Sequence, residues 1–149
     1  MKLTHLLYII LTILIFTSCR REDDIDEIFY GKTWYMTGIV INGITSPQDQ
    51  DPHNFYQTDN TYHITFSAGT FKGTLSSGVN ISGTWTADGK HQTIHLDPDA
   101  QSNLSQFDQQ LYHILEEVTS YSSGAEFLHL ADGNGNKVLF SISRSKVYN

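Results

Sequence analysis

Cysteine is nearly absent from this chain: Cys19 stands alone among 149 residues. A single thiol has no internal disulfide partner. Beyond residue 19 the chain offers no thiolate nucleophile and no Cys-ligated zinc site. Basic side chains are also scarce, 9 against 16 acidic ones, for a net charge of −7. That balance excludes nucleic acid as a partner, because phosphate contacts need clustered Lys and Arg. It equally disfavours electrostatic docking on anionic lipid. No apolar run is long enough for a spanning helix, which needs about 20 residues. Catalytic signatures are missing too: there is no Gly-x-Ser-x-Gly elbow, no His-Glu-x-x-His and no phosphate-binding glycine loop. The reading is therefore of a non-enzyme without a cofactor.

What is present begins at the N-terminus. Lys2 precedes the apolar stretch Leu6–Phe16, broken only by Thr12. This length suits the h-region of a signal peptide. Ile15-Phe16-Thr17-Ser18-Cys19 resembles the lipobox of bacterial lipoproteins, although Phe16 stands where an aliphatic residue is usual. The resemblance implies a signal peptide over residues 1–18, cleavage before Cys19 and acylation of its thiol. Stable anchoring needs at least two acyl chains, each CH₂ adding about 0.8 kcal/mol. Expected are a membrane partner through Cys19 and a place in the bacterial envelope as an outer membrane lipoprotein. The charged run Arg20-Arg21-Glu22-Asp23-Asp24 reads either as part of a solvated tether over residues 19–28 or as an address. In the second reading it resembles the acidic surface-export signals of some Gram-negative lipoproteins.

The remaining residues, 29–149, suit one domain with a hydrophobic core. Trp34–Asn42 reads as a strand broken by Asn42-Gly43. Ile44–Asn60, with two of the three prolines, reads as a long loop that Phe55 and Tyr56 pin back. Short alternating runs follow. Tyr62, Ile64 and Phe66 share a face, as do Phe71, Gly73 and Leu75, then Val79, Ile81, Gly83 and Trp85, then Ile94 and Leu96. Glycine-bearing turns separate them, including Ala87-Asp88-Gly89-Lys90. After Asp97-Pro98-Asp99 the period changes. Leu104, Phe107, Leu111, Leu115 and Val118 recur at three- and four-residue spacing, with Asn103 and Gln106 resembling a capping box. This predicts one amphipathic helix over Leu104–Leu115, ending near Glu116-Glu117, where negative charge opposes continuation. Strands resume at Val118–Tyr121, Glu126–Ala131 and Lys137–Ser143. The expected class is mostly β (α+β): a curved antiparallel sheet or partly open barrel of about eight strands with one amphipathic helix.

Three segments resemble the META domain of heat-shock-induced lipoproteins: Gly31-Lys32-Thr33-Trp34, Gly73 through Trp85, and Phe107 through Phe140. Val79 stands where that family carries cysteine, which excludes a redox role there. Asn80 matches the family's asparagine and is expected to bond backbone at a tight corner. The resemblance implies no defined reaction. It implies instead a structural or protein-interaction role on an envelope partner, with envelope stress as its setting. Trp34, Tyr62–Phe66 and Gly83-Thr84-Trp85-Thr86 also resemble lipocalin-like bacterial lipoproteins. There Trp34, Phe66 and Trp85 would line a pocket for a small apolar molecule instead of filling a core.

Weaker patterns have plain explanations. His91 and His95 are spaced for a metal on a helix, yet fall in a turn and a strand. Asp132, Asn134 and Asn136 mimic the start of a calcium loop. Lys137 then occupies the glycine position and Ser143 the closing glutamate position, so a hairpin turn is expected. Asp97 and Asp99 precede the helix, where their charge complements its N-terminus. A hydrolase built on His95 or His129 with an aspartate has no motif behind it.

Overall fold

The computed structural model describes residues 22–45, 62–76 and 78–143. The signal segment, Cys19, and the loop with Phe55 and Tyr56 lie outside them.

The described chain runs α1 (Ile25–Phe29), β1 (Thr33–Ile41), β2 (Ile44–Thr45), β3 (His63–Ser67), β4 (Thr70–Thr74), β5 (Asn80–Asp88), β6 (Thr93–Pro98), α2 (Gln106–Glu116), β7 (Val118–Ser123), β8 (Phe127–Asp132) and β9 (Lys137–Ser141). From β3 onward each strand pairs with the next, and β9 returns to pair with β1, which also pairs with β3. Eight antiparallel strands, all but β2, thus close into a barrel. The sheet expected to be curved or partly open has no open edge between β1 and β9.

Alternation sets which residues point inward. Ile64 and Phe66, Phe71, Ile81 and Trp85, Ile94 and Leu96, Leu128 and Leu130, and Val138 and Phe140 are all buried. Two inward pairs break the period of two. Met36 and Ile39 are both buried because the β1–β9 register shifts between Met36 and Gly38. Val118 and Tyr121 are both buried because the β7–β8 register shifts between Val118 and Ser120. Each extra residue is a bulge that bends its strand, as closing a small barrel requires.

Several sequence expectations are corrected in detail. Asn42 and Gly43, with φ of 52° and 77°, form a two-residue hairpin turn, so Ile44 and Thr45 pair back on β1 instead of opening a loop. β5 runs through Asp88, and its turn falls at Gly89–Gln92. The cap of α2 is Ser105, whose hydroxyl accepts from the Asp108 amide at 3.1 Å, displacing the Asn103–Gln106 pair. Ile142 lies beyond β9 and is 38% exposed. The largest correction is α1. Residues 25–28, read as tether, are helical, and Asp24 caps them by accepting from the Glu27 amide at 3.1 Å.

The two helices cover opposite ends. α1 brings Phe29, fully buried, to the end marked by the β3–β4 and β5–β6 turns. α2 packs Leu111, Ile114 and Leu115 over β6, β8 and β9 at the other end.

Candidate functional site

The end covered by α1 joins an aromatic cluster to the start of the described chain. The Phe29 ring lies 5.0 Å from Phe66, 4.9 Å from Trp85 and 5.3 Å from Tyr121. Phe66 and Trp85 meet at 5.0 Å, and Tyr30 stands edge-on to Trp85 at 5.9 Å. Such tilted and edge-on pairs are the favoured arrangement of aromatic quadrupoles. The indole of Trp85 donates to the Ser67 carbonyl at 2.8 Å.

Just ahead of α1, Asp23 is fastened to the barrel. Its amide donates to the Gly89 carbonyl at 3.2 Å. Its carboxylate accepts from the Tyr121 hydroxyl and from Gln92 Nε2, each at 3.1 Å. Burial, then the hydrogen bond to Asp23 and the charges of Asp23 and Asp88, push the Tyr121 phenol well above its ordinary value. Gly89 is what permits the approach, since a Cβ there would overlap the Asp23 carbonyl oxygen. Asp23 and Asp24, two acidic residues of the predicted address, therefore both have work in the fold.

The proposed ligand-lining residues lie in the core. Trp34 is fully buried, Phe66 is 3% exposed and Trp85 5%. Trp34 Nε1 finds no acceptor, and the Lys32 ammonium lies over the Trp34 ring at 5.6 Å. Asn80 is not a corner residue. It begins β5 opposite Thr74 and accepts that hydroxyl at 3.0 Å, while the turn before it is made by Gly78 at φ 83°. Val79 packs against the core.

At the α2 end, Asp108 is fully buried. One carboxylate oxygen accepts from Ser76 at 2.6 Å and Ser105 at 2.9 Å, and the other has no partner. Sequence alone does not single this residue out: Ser105 and Asp108 stand at cap spacing, but its other partner, Ser76, is distant in the chain.

The histidines do not converge. His91 pairs with Asp88 at 2.6 Å on the surface, and this hydrogen bond, followed by that from the Lys90 amide, lowers the Asp88 carboxyl. His95 lines a groove of about 360 Å³ with Thr86, Thr93, Val118 and Thr119, where β6 and β7 pair only at Thr93–Ser120. His129 stacks on Phe127 at 4.9 Å, and burial, then Lys137, holds its imidazole below the usual value. Among the described residues no group of His, Cys, Asp and Glu could hold a metal. The Asp132 carboxylate is taken up by its own turn, accepting from the amides of Asn134 and Asn136 at 2.8 and 2.9 Å and from Asn136 Nδ2 at 2.7 Å. No described helix is long and apolar enough to cross a membrane.

Residues 21–142 match a family model described as Domain of unknown function (DUF4847). This overturns the META resemblance. Of the residues that carried it, Trp34, Gly73, Trp85 and Phe140 are buried strand positions and Gly31 and Gly78 are turn glycines at φ 70° and 83°, features that any small antiparallel barrel calls for. A crystal structure of a DUF4847 family protein from Bacteroides vulgatus superposes with a TM-score of 0.66 at 23% identity, over 83% of this chain and 100% of that one. The NMR structure of a protein from Burkholderia xenovorans gives a TM-score of 0.52 at 14% identity, over 77% of this chain and 83% of that one. These likenesses extend to the fold. No curated protein matches the chain.

Proposed function

Because the chain belongs to the DUF4847 family of unknown function, we propose from its own residues that it is a lipid-anchored envelope protein with a non-enzymatic, structural or protein-interaction role. The observation that carries this is the filled barrel. Phe29, Trp34, Phe66, Trp85, Tyr121 and Phe140 occupy the interior, and a helix covers each end. A barrel packed in this way offers partners its outer surface. Cys19, alone in the chain and preceded by a short apolar stretch, supports acylation and an outer membrane location, on either face. Once residues 1–18 are removed, the chain keeps 8 of its 9 basic residues against all 16 acidic ones, so acyl chains, not charge, would hold it to lipid.

The second reading is a carrier of a small apolar ligand. The barrel architecture suits it, and the fully buried Trp34 indole N–H has no acceptor. One experiment separates the readings. Cells fed an alkynyl fatty acid should label the native chain and not Cys19→Ala, and native mass spectrometry of the purified protein should give the mass of the acylated chain alone. An unlabelled native chain would refute the anchor. A stoichiometric apolar companion would favour the carrier.

A further inference from the structure

At Asp23 the described chain is already fastened to the barrel. The Asp23 amide and carboxylate are bonded to Gly89, Gln92 and Tyr121, Asp24 caps α1, and Phe29 is buried in the core. Cys19 stands four residues before Asp23. Four residues reach at most about 14 Å when fully extended. A tether running on to residue 28 would reach more than twice as far, about 32 Å. The barrel is longer than the shorter reach. The nine residues of β5 rise about 30 Å along the strand, or about 23 Å along an axis tilted by 40°.

We propose that this docking makes the lipid anchor an orienting device. The barrel end formed by α1 and the Asp88–Gln92 turn faces the headgroup layer, and the α2 end points away from it. The proposal rests on the acylation of Cys19 put forward above. Two further features bear on it. Phe127 and Ile142, exposed by 42% and 38%, lie at the same end as α1, whereas the exposed Ile44 lies at the other. Glu22, Asp23, Asp24, Asp26, Glu27 and Asp88 also cluster toward the docking end, outnumbering Lys32 and Lys90 there and Arg20 and Arg21 next to Cys19 in sequence. This charge gives no attraction to anionic headgroups, so the covalent anchor would hold the end against the bilayer.

The test uses the full lipidated protein in phosphatidylcholine nanodiscs. With the Cys19 thiol acylated, a single introduced cysteine at Lys90→Cys or Gln109→Cys is the only free thiol, and each carries a fluorophore. Lipids with a quencher on the headgroup should extinguish most of the signal at position 90 and leave that at position 109 nearly intact. Equal quenching at both positions, or stronger quenching at 109, overturns the proposal. Gly89→Ala displaces Asp23 sterically, and Asp23→Ala removes the carboxylate, with its bonds from Tyr121 and Gln92, without adding bulk to the turn. In either background the contrast between the two labels should collapse while unfolding stays cooperative. A contrast retained in both overturns the role of the docking. The mass of the N-terminal peptide distinguishes the two failures. Absent acyl chains defeat the anchor and the orientation with it, whereas an acylated chain without contrast defeats the orientation alone.

Discussion

Gly83 faces into the barrel from β5, and a Cβ there would overlap the Asp97 carbonyl oxygen and lie 2.7 Å from Pro98 Cα and 2.8 Å from the Phe71 ring. No left-handed backbone is involved, so the substitution Gly83→Ala is a purely steric challenge. It should cost about 1–3 kcal/mol, as overpacking does, read as a lower urea midpoint at unchanged slope. Asp108→Ala would strip Ser76 and Ser105 of their shared acceptor. The expected loss is about 1–3 kcal/mol by the same measurement. Tyr121 gives a pH signature. Its raised phenol means that the folded chain holds the proton more tightly than the unfolded chain does. The resulting stability is fully present below tyrosine's ordinary value of 10.0 and is lost as pH rises above it. Stability should therefore fall between pH 9 and pH 11 by urea titration, and Tyr121→Phe should flatten that decline. Of these residues the sequence singled out Tyr121 as part of a strand and Gly83 as part of a strand and of the two family resemblances. Gly83 is explained by a neighbouring strand and Asp108 by a serine 32 positions away, distances that no local pattern spans.

α1 shows why a short element escapes a periodicity argument. Five residues make little more than one turn, too few for an apolar repeat to emerge. They also follow an acidic run, which by itself reads as solvated chain. Tertiary burial of Phe29 overrides that preference. Phe29→Ala should cost about 3–5 kcal/mol and leave β-sheet circular dichroism unchanged below the unfolding midpoint. α2, in contrast, was legible in position and face, because its eleven residues carry several repeats of the apolar spacing. Its cap was not. Asn103 with Gln106 and Ser105 with Asp108 are similar patterns two residues apart, and the buried bond from Ser76 favours the second. The strands were legible wherever alternation held. They were blurred at the two bulges, where inward residues stand three apart.

At the scale of the molecule, both helices belong to one interior, and the barrel is complete only with α1 in place. A chain lacking residues 22–30 should expose Phe66, Trp85 and Tyr121 at the open end, bind a hydrophobic dye such as ANS and unfold with a smaller denaturant slope. Retention of the native slope without dye binding would show that α1 is dispensable to the core. Local order alone determined a good deal here: the lone thiol and its setting, the acidic balance, the succession of short antiparallel strands and the single long amphipathic helix. Each depends on residue type and near-neighbour spacing. Tertiary structure decided the rest. Closure of β9 on β1, the entry of Phe29 into the interior, the fastening of Asp23 to Gly89 and the burial of Trp34 and Trp85 all join residues far apart in the chain. Their free energy comes from close packing, which exists only once the distant segments have met.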